Sequence, residues 1–546
     1  MITETNGRRP AAAVGGRGET QPGAGDEGAV ARRVARNSLL PFAAGMAGRV
    51  LALALAMVMA RTLGASGSGL YAVAVNLWLY ASIVVDFGLG TWLTREVARR
   101  PEGARDTVAD ALGLRLGLAV CALPLLLLAA LGAGFVQGSG PDAVLLMTVL
   151  LLGIGLLPGA VSAAGTSLFY AFEDMTFPAL VQLGTAALTT LGGAALLLGG
   201  FDVVALAWVS LAVNLLTAAV FTVACARRYV PLRASLHPAR QLALAREALP
   251  LMLNSLLNNV FFRFDVQVLQ SKGTAVVGYY VNAYKVIDTA GAIPSSFVLA
   301  LFPLLARRAG GGGQGAGPQA SALGEGRGDE PAGLSRVYRL ALKLLVATAL
   351  AIAVPVTFLA SEIVALFWGQ GFLPDSAIAL RILIWFLPLS FFNGLTQYVL
   401  IAVGRQARIT LAFAFAALFN VSANLLLVPR YSYVAAAWIT ILSEVVLLVP
   451  FLLALRGRLP VGAALGDALR PFPAALVAGL FLALAGQATP PEALALRLLL
   501  GAGAVAVYLV LIPLTRVFDG AEWGTLLSLL PRRWRPGPLG LLGHPG

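Results

Sequence analysis

The sequence predicts an all-α, polytopic membrane protein of about 14 transmembrane helices. Three observations predict it. The chain is 58% hydrophobic and only 12% charged, about half the charge of an ordinary soluble domain. Its apolar residues fall in runs of roughly 20–28, long enough to cross a ~30 Å hydrocarbon layer as helices. Its Lys and Arg gather in every second break between those runs, the signature of one membrane face.

Residues 1–36, rich in Gly, Ala and Arg, hold no apolar run. They are not a signal peptide and are expected to form a disordered cytoplasmic tail. Spans follow at about 37–61, 68–94, 107–135, 142–169, 176–199 and 202–226, an N-lobe over 37–228. A basic loop covers 229–245. Spans at 246–271, 274–305, 335–360, 376–403, 407–428 and 433–455 make a C-lobe over 246–455. Within it, the Gly-rich segment 309–334 reads as a flexible linker. Two further spans, 471–487 and 494–515, fall within 456–516. The last segment, 517–546, reads as a cytoplasmic tail with an interfacial helix near Trp523–Leu530 beside Arg532, Arg533 and Arg535.

With the N-terminus inside, the inner segments carry 29 Lys and Arg and the outer breaks carry 4: Arg61, Lys272, Arg430 and Arg497. This bias predicts a multi-pass protein of the cytoplasmic membrane with both termini in the cytoplasm. It also explains the net charge of +13 without nucleic acid. The break near 170–176 should be inside yet has no basic residue. The outer breaks are too short for a catalytic domain, and no Gly-x-x-x-x-Gly-Lys-Ser/Thr loop occurs. The chain therefore reads as a non-enzyme. Cys121 and Cys225 lie in apolar runs as small hydrophobes. His237 and His544 lie in basic sequence, so a histidine metal or catalytic site inside the membrane is excluded.

The halves repeat at an offset of 209 residues. Leu40-Pro41 matches Leu249-Pro250; Gly69, Tyr71 and Ala74 match Gly278, Tyr280 and Ala283; Arg99 matches Arg308. Six spans separate the copies, so both point the same way. That predicts two lobes related by a pseudo-twofold along the membrane normal, with a cavity between them.

Charges kept inside the membrane are the functional candidates, because each is costly there unless it faces protein or water. Arg49 lies 12 residues from either end of its span. It is read either as a cavity-facing anion contact or as a structural partner of Asp86. Lys343 and Arg381, nearer helix ends, are expected to snorkel to the interface; Arg115 is read as structural. The seventh span is polar on two faces: Asn254, Asn258 and Asp265 on one, Asn259, Arg263, Gln267 and Gln270 on the other. One face should line the cavity. Lys285 and Asp288 on the eighth span could reach this helix, and a Lys285–Asp265 bridge is within range. Arg263 and Lys285 suit a phosphate. Asn282 and Tyr284, with Tyr279 and Tyr280, could contact sugars. Asp86, Asp265 and Asp288 are candidates for an inward coupling ion, H⁺ or Na⁺.

Arg-Thr-Leu-Gly-Ala-Ser-Gly-Ser-Gly-Leu-Tyr at 61–71, Asp-Phe-Gly-Leu-Gly at 86–90 and Thr-Arg-Glu-Val-Ala at 94–98 come in that order. Arg-Phe-Asp at 263–265, Gly-Tyr-Tyr-Val-Asn-Ala-Tyr-Lys at 278–285, Leu-Phe-Trp-Gly-Gln-Gly-Phe at 366–372 and Ala-Val-Gly-Arg at 402–405 follow. Over about residues 35–515 the chain resembles the Wzx-type polysaccharide and O-antigen flippases of the MOP exporter superfamily, from which its Gly-rich linker departs. The resemblance implies two six-helix bundles around a central cavity, here with two extra C-terminal helices. It implies movement of polyprenyl-diphosphate-linked oligosaccharide from the cytoplasmic to the outer leaflet by alternating access. It implies no cofactor, and a polysaccharide polymerase and glycosyltransferases as neighbours in function. A flippase for the peptidoglycan lipid precursor and a MATE-type drug/cation antiporter are the alternatives, the latter disfavoured by Arg49, Arg263 and Lys285 at mid-membrane.

Overall fold

The computed structural model describes residues 24–136, 140, 142–291, 330–490 and 493–529. Among these there are helices, turns and no strands. The first helix, α1 (Ala24–Asp86), and a late one, α14 (Gln406–Leu455), are each about double length. Each holds two membrane crossings around one non-helical residue, Gly64 (φ 68°) or Ser432 (φ 54°). In α1 the reversal is visible in the packing. Ala52, Ala56 and Met59 line the same cavity as Leu79, Val75 and Ala72, the pairing of an antiparallel hairpin. Glycine at 64 suits the positive φ at the turn.

The N-terminal lobe continues with α2 (Leu89–Arg99), α3 (Ala104–Val136), α4 (Ala143–Ile154), α5 (Leu156–Ala171), α6 (Thr176–Leu198) and α7 (Val203–Arg228). The second lobe follows with α8 (Pro238–Leu269), α9 (Thr274–Ala290), α10 (Glu330–Phe358), α11 (Ala360–Phe367), α12 (Asp375–Leu383), α13 (Phe386–Ala402) and α14. Then come α15 (Val461–Leu469), α16 (Phe472–Ala488), α17 (Leu494–Leu514) and α18 (Gly520–Leu529). Ten helical stretches are long and apolar enough to cross a membrane by length and composition. Two of these hold two crossings each. The polar α8 and the α9 segment are not among the ten, and with them the count reaches the expected 14. Leu125, Leu191, Leu426, Leu476 and Leu499 stand more than half exposed on the outer faces, an apolar belt that fits lipid and not water.

Several details differ from expectation. The first helix begins at Ala24, not near 37, because the Ala-, Val- and Arg-containing stretch before Asn37 suits helix. The second span is broken at Phe87 (φ 50°) and Gly88 (φ 73°). A Cβ on Gly88 would lie 2.6 Å from Leu251 Cβ and 3.0 Å from Met252 N, so the chain needs glycine there for approach as well as for φ. Lys343 does not snorkel. It is 1% exposed and meets Glu522 at 2.8 Å and Asp467 at 3.7 Å, because α15 and α18 bring carboxylates to it. Arg381 is exposed and bonds Ser361 Oγ at 3.0 Å. The unpaired break near 170–176 is matched from a neighbour: Arg228 reaches Asp174 at 3.3 Å and lies over the Phe177 ring. The rest of the eighth span, most of the Gly-rich linker and the basic C-terminal end lie outside the described residues.

The repeat seen in the sequence is a contact in space. A Cβ on Gly69 would lie 1.7 Å from the Thr274 carbonyl oxygen, and one on Gly278 would lie 2.0 Å from that of Ala65. Ala65 and Thr274 are themselves 209 residues apart. The two copies therefore touch reciprocally, as a twofold requires. Tyr280 bonds Thr440 on the sixth span of the second lobe.

Candidate functional site

The reciprocal glycine contact closes one end of the space between the lobes. Ser66 Oγ and Thr274 Oγ1, 3.0 Å apart, bond across it. Beneath this contact lies a cavity of about 310 Å³. Its walls are mainly apolar. Its polar residues are Ser68, Tyr71, Asn76, Arg263, Asn282 and Lys285. Asn76 and Lys285 are repeat equivalents, so the two lobes present corresponding positions to the same space.

The charges are organised around Asp288. Arg263 Nη2 pairs with Asp288 Oδ2 at 2.9 Å, and its guanidinium lies 5.0 Å above the Tyr284 ring. Arg49, one turn from the cavity-lining Ala52, donates from Nη1 to the backbone carbonyl of Asp288 at 2.8 Å. Lys285, one turn before Asp288, lines the cavity and makes no hydrogen bond or ion pair among the described residues. Asp288 thus neutralises Arg263. Arg49 is held by a neutral carbonyl, and neither it nor Lys285 has a carboxylate partner in an ion pair among the described residues.

Four sequence expectations are corrected here. Arg49 does not pair with Asp86, which bonds Arg115 Nη2 at 2.5 Å. Lys285 does not bridge Asp265. That carboxylate is 3% exposed and is already bonded by the Tyr280 hydroxyl and, at 2.8 Å, by Val266 N. Tyr280 lies five residues before Lys285, about 140° around the helix, so the two face different ways. Tyr284 is buried and absent from the cavity wall; it braces Arg263 from behind. Asp86 is not a free carboxylate for an ion, because Arg115 occupies it.

Of the two polar faces of the seventh span, the Arg263 face lines the cavity and Asp265 points into its own lobe. Asn282 is 2% exposed and its Nδ2 has no partner among the described residues. Sequence reading missed the polar core of the second lobe. Glu444, 1% exposed, accepts from Asn393 Nδ2 at 2.6 Å, and Asn420 bonds Ser443 at 2.9 Å. A carboxylate in the middle of the twelfth span was the available signal. Asn76 was missed too; its Nδ2 bonds the Arg263 carbonyl at 3.3 Å, tying the second span to the seventh.

These features define a two-lobed helical membrane protein with a cavity between its lobes. The sequence profile of the polysaccharide biosynthesis protein family matches residues 34–308, and that of the MatE family matches 320–426. The chain belongs to the polysaccharide biosynthesis protein family. No curated protein sequence matches it. Among solved structures it is similar to the lipid II flippase MurJ in an inward closed conformation. There the TM-score is 0.66 at 14% identity, covering 88% of this chain and 100% of that one. It is also similar to a multidrug resistance MATE family transporter in an inward-facing conformation, at TM-score 0.60, 20% identity and coverages of 76% and 95%. A MOP superfamily transporter from Pyrococcus furiosus gives TM-score 0.54 at 18% identity, covering 79% and 96%. These likenesses establish the fold.

Proposed function

We propose that the protein is a flippase of the cytoplasmic membrane. It carries polyprenyl-diphosphate-linked oligosaccharide from the cytoplasmic to the outer leaflet by alternating access, for assembly of a surface polysaccharide. Both termini and the basic loops face the cytoplasm, and a polymerase and glycosyltransferases act on either side of its step. The observation that carries this reading is the charge count at the cavity. Lys285 on its wall and Arg49, one turn from the wall residue Ala52, have no ion-pair partner among the described residues and match the roughly two negative charges of a diphosphate. A polyprenyl tail can stay in lipid while the headgroup enters between the lobes. An acidic drug site is not supported, because no carboxylate lines the cavity among the described residues and the nearby Asp288 is paired with Arg263.

No nucleotide is needed. An inside-negative potential favours outward movement of an anion by about 2.3 kcal/mol per charge per 100 mV. A coupled H⁺ or Na⁺ would add to this. Asp86 and Asp288 are both ion-paired, so Asp265 is the candidate carboxylate left for such an ion. The test is export of the lipid-linked glycan in cells at matched protein level. Arg49→Ala and Lys285→Ala should each lower it by about tenfold or more, a lost charge-assisted bond. Arg49→Lys should keep part of it, since charge survives and bidentate geometry does not. Normal export by both alanine variants would sink the diphosphate reading.

A further inference from the structure

A second, open chamber of about 700 Å³ with mainly apolar walls is cut into the first lobe. Its walls come from the second, third, fourth and fifth spans. At its base is Arg115, which is 0% exposed. Among the described residues only its Nη2 is bonded, to Asp86, and its buried Nε and Nη1 have no partner. A guanidinium has five N–H donors, and buried charged donors left unmade are expensive. The chamber is far larger than one water molecule, whose share of liquid volume is about 30 Å³. The Asp86 side chain is 44% exposed and turns acceptor oxygens to the same space. Thr91, Tyr170 and Gln182 line it without a partner of their own among the described residues, and Arg95 stands exposed on its wall.

We infer that this chamber binds sugar residues of the cargo, an inference that rests on the flippase reading. The chemistry is that of a polyol and not of a phosphate. The buried Arg115 charge is already balanced by Asp86, and that carboxylate repels an anion, so the wall cation without an ion pair among the described residues is the exposed Arg95. What remains is a mixed set of donors and acceptors with one phenol ring, and sugar hydroxyls both donate and accept. The position also fits. Asn76 lines the interlobe cavity and Asp86 lines the chamber, ten residues on along the same span, about 15 Å of helix rise. The displacement is toward the basic side, from which a headgroup would be loaded. A diphosphate held near Arg49 and Lys285 would leave its glycan pointing that way.

The test uses the full-length protein in lipid nanodiscs and two probes: bare polyprenyl diphosphate, and the same lipid carrying a neutral trisaccharide. Wild type should bind the glycosylated probe about tenfold tighter or more, the worth of one charge-assisted hydrogen bond. Gln182→Ala and Thr91→Val, both at exposed positions of the wall, should cut that ratio several-fold without changing the affinity for the bare probe. Arg115→Gln should bring it to about one. Lys285→Ala should weaken both probes alike. A ratio near one in wild type, or a ratio that Gln182→Ala and Thr91→Val both leave intact, overturns the sugar chamber while the flippase reading stands. Loss of the bare probe in Gln182→Ala would mean that the chamber takes phosphate, which also overturns it. If wild type binds neither probe, the flippase reading itself falls.

Discussion

The contact between Gly69 and Gly278 should control which side of the cavity is open. Alanine at 69 places a methyl 1.7 Å from the Thr274 carbonyl oxygen, and alanine at 278 places one 2.0 Å from that of Ala65. Side-chain carbons essentially never approach closer than 3.0 Å, and both obstacles are backbone. The two spans must therefore part by about 1 Å or more, which breaks the Ser66–Thr274 bond as well. Overpacking of this kind costs about 1–3 kcal/mol, a shift of roughly 5- to 150-fold in the closed-to-open ratio. The assay is labelling of Ser68→Cys by an impermeant maleimide added outside the cell. Ser68 is 2% exposed and lines the cavity just beneath the contact. Cys121 would first be changed to Ser, and Cys225 is buried. Labelling should be slow in the parent and faster by that factor in Gly69→Ala or Gly278→Ala. Gly184→Ala, where nothing lies within 4 Å of the new methyl, should leave it unchanged. Equal labelling in all of them would refute the gate.

Other consequences are as readily measured. A reporter active only outside the cytoplasm, fused after Arg516, should be silent; activity there would overturn the count of spans, which rests on the distribution of Lys and Arg. Lys343→Ala should lower stability by about 1–3 kcal/mol, because it takes the cation from Glu522, whereas Asp467 keeps Arg339 and Arg470. Arg381→Ala should stay within about 0.5 kcal/mol, both read from thermal unfolding in detergent. Deleting 310–326 should leave export nearly intact, because a Gly-rich coil shortened this far changes little closure entropy; lost export at normal protein level would give the segment a specific role.

The helices were legible because lipid imposes a length on every apolar run, and the breaks at 61–68 and 428–433 were legible from their Gly, Ser and Arg. The break at Phe87–Gly88 was not, because the residues after Asp86 are apolar and read as continuous span; only the approach of Leu251 explains it. The charges were legible one at a time. Arg49, Arg263, Lys285 and Asp288 stood out by depth, and the structure brings them together. Their partners did not stand out. Arg115 and Asp86 are 29 residues apart, Lys343 and Glu522 are 179 apart, and helix period relates residues only within one helix. Asp265 and Lys285 could reach each other by height along the membrane. Which way each faced was decided by Tyr280, whose hydroxyl claims the carboxylate.

The glycine contact and the cavity wall are one surface. Gly278, Asn282 and Lys285 follow each other at helical spacing on α9, and Gly69, Ala72 and Asn76 do so on α1. The same two faces touch at the glycines and then diverge to enclose the cavity. Opening the glycine end by separating these spans would also pull apart the walls that present Asn76 and Lys285. A headgroup held by both lobes should therefore be released as that end opens, without a separate trigger. The repeat is symmetric in shape and asymmetric in charge. Lys285 corresponds to neutral Asn76, and Arg49 corresponds to neutral Asn258. Each lobe thus contributes one free cation from a different helix of its hairpin. A diphosphate bridging Arg49 and Lys285 would link the first span to the eighth across the divide, so its charge would favour the closed glycine end until that end opens and the link is lost.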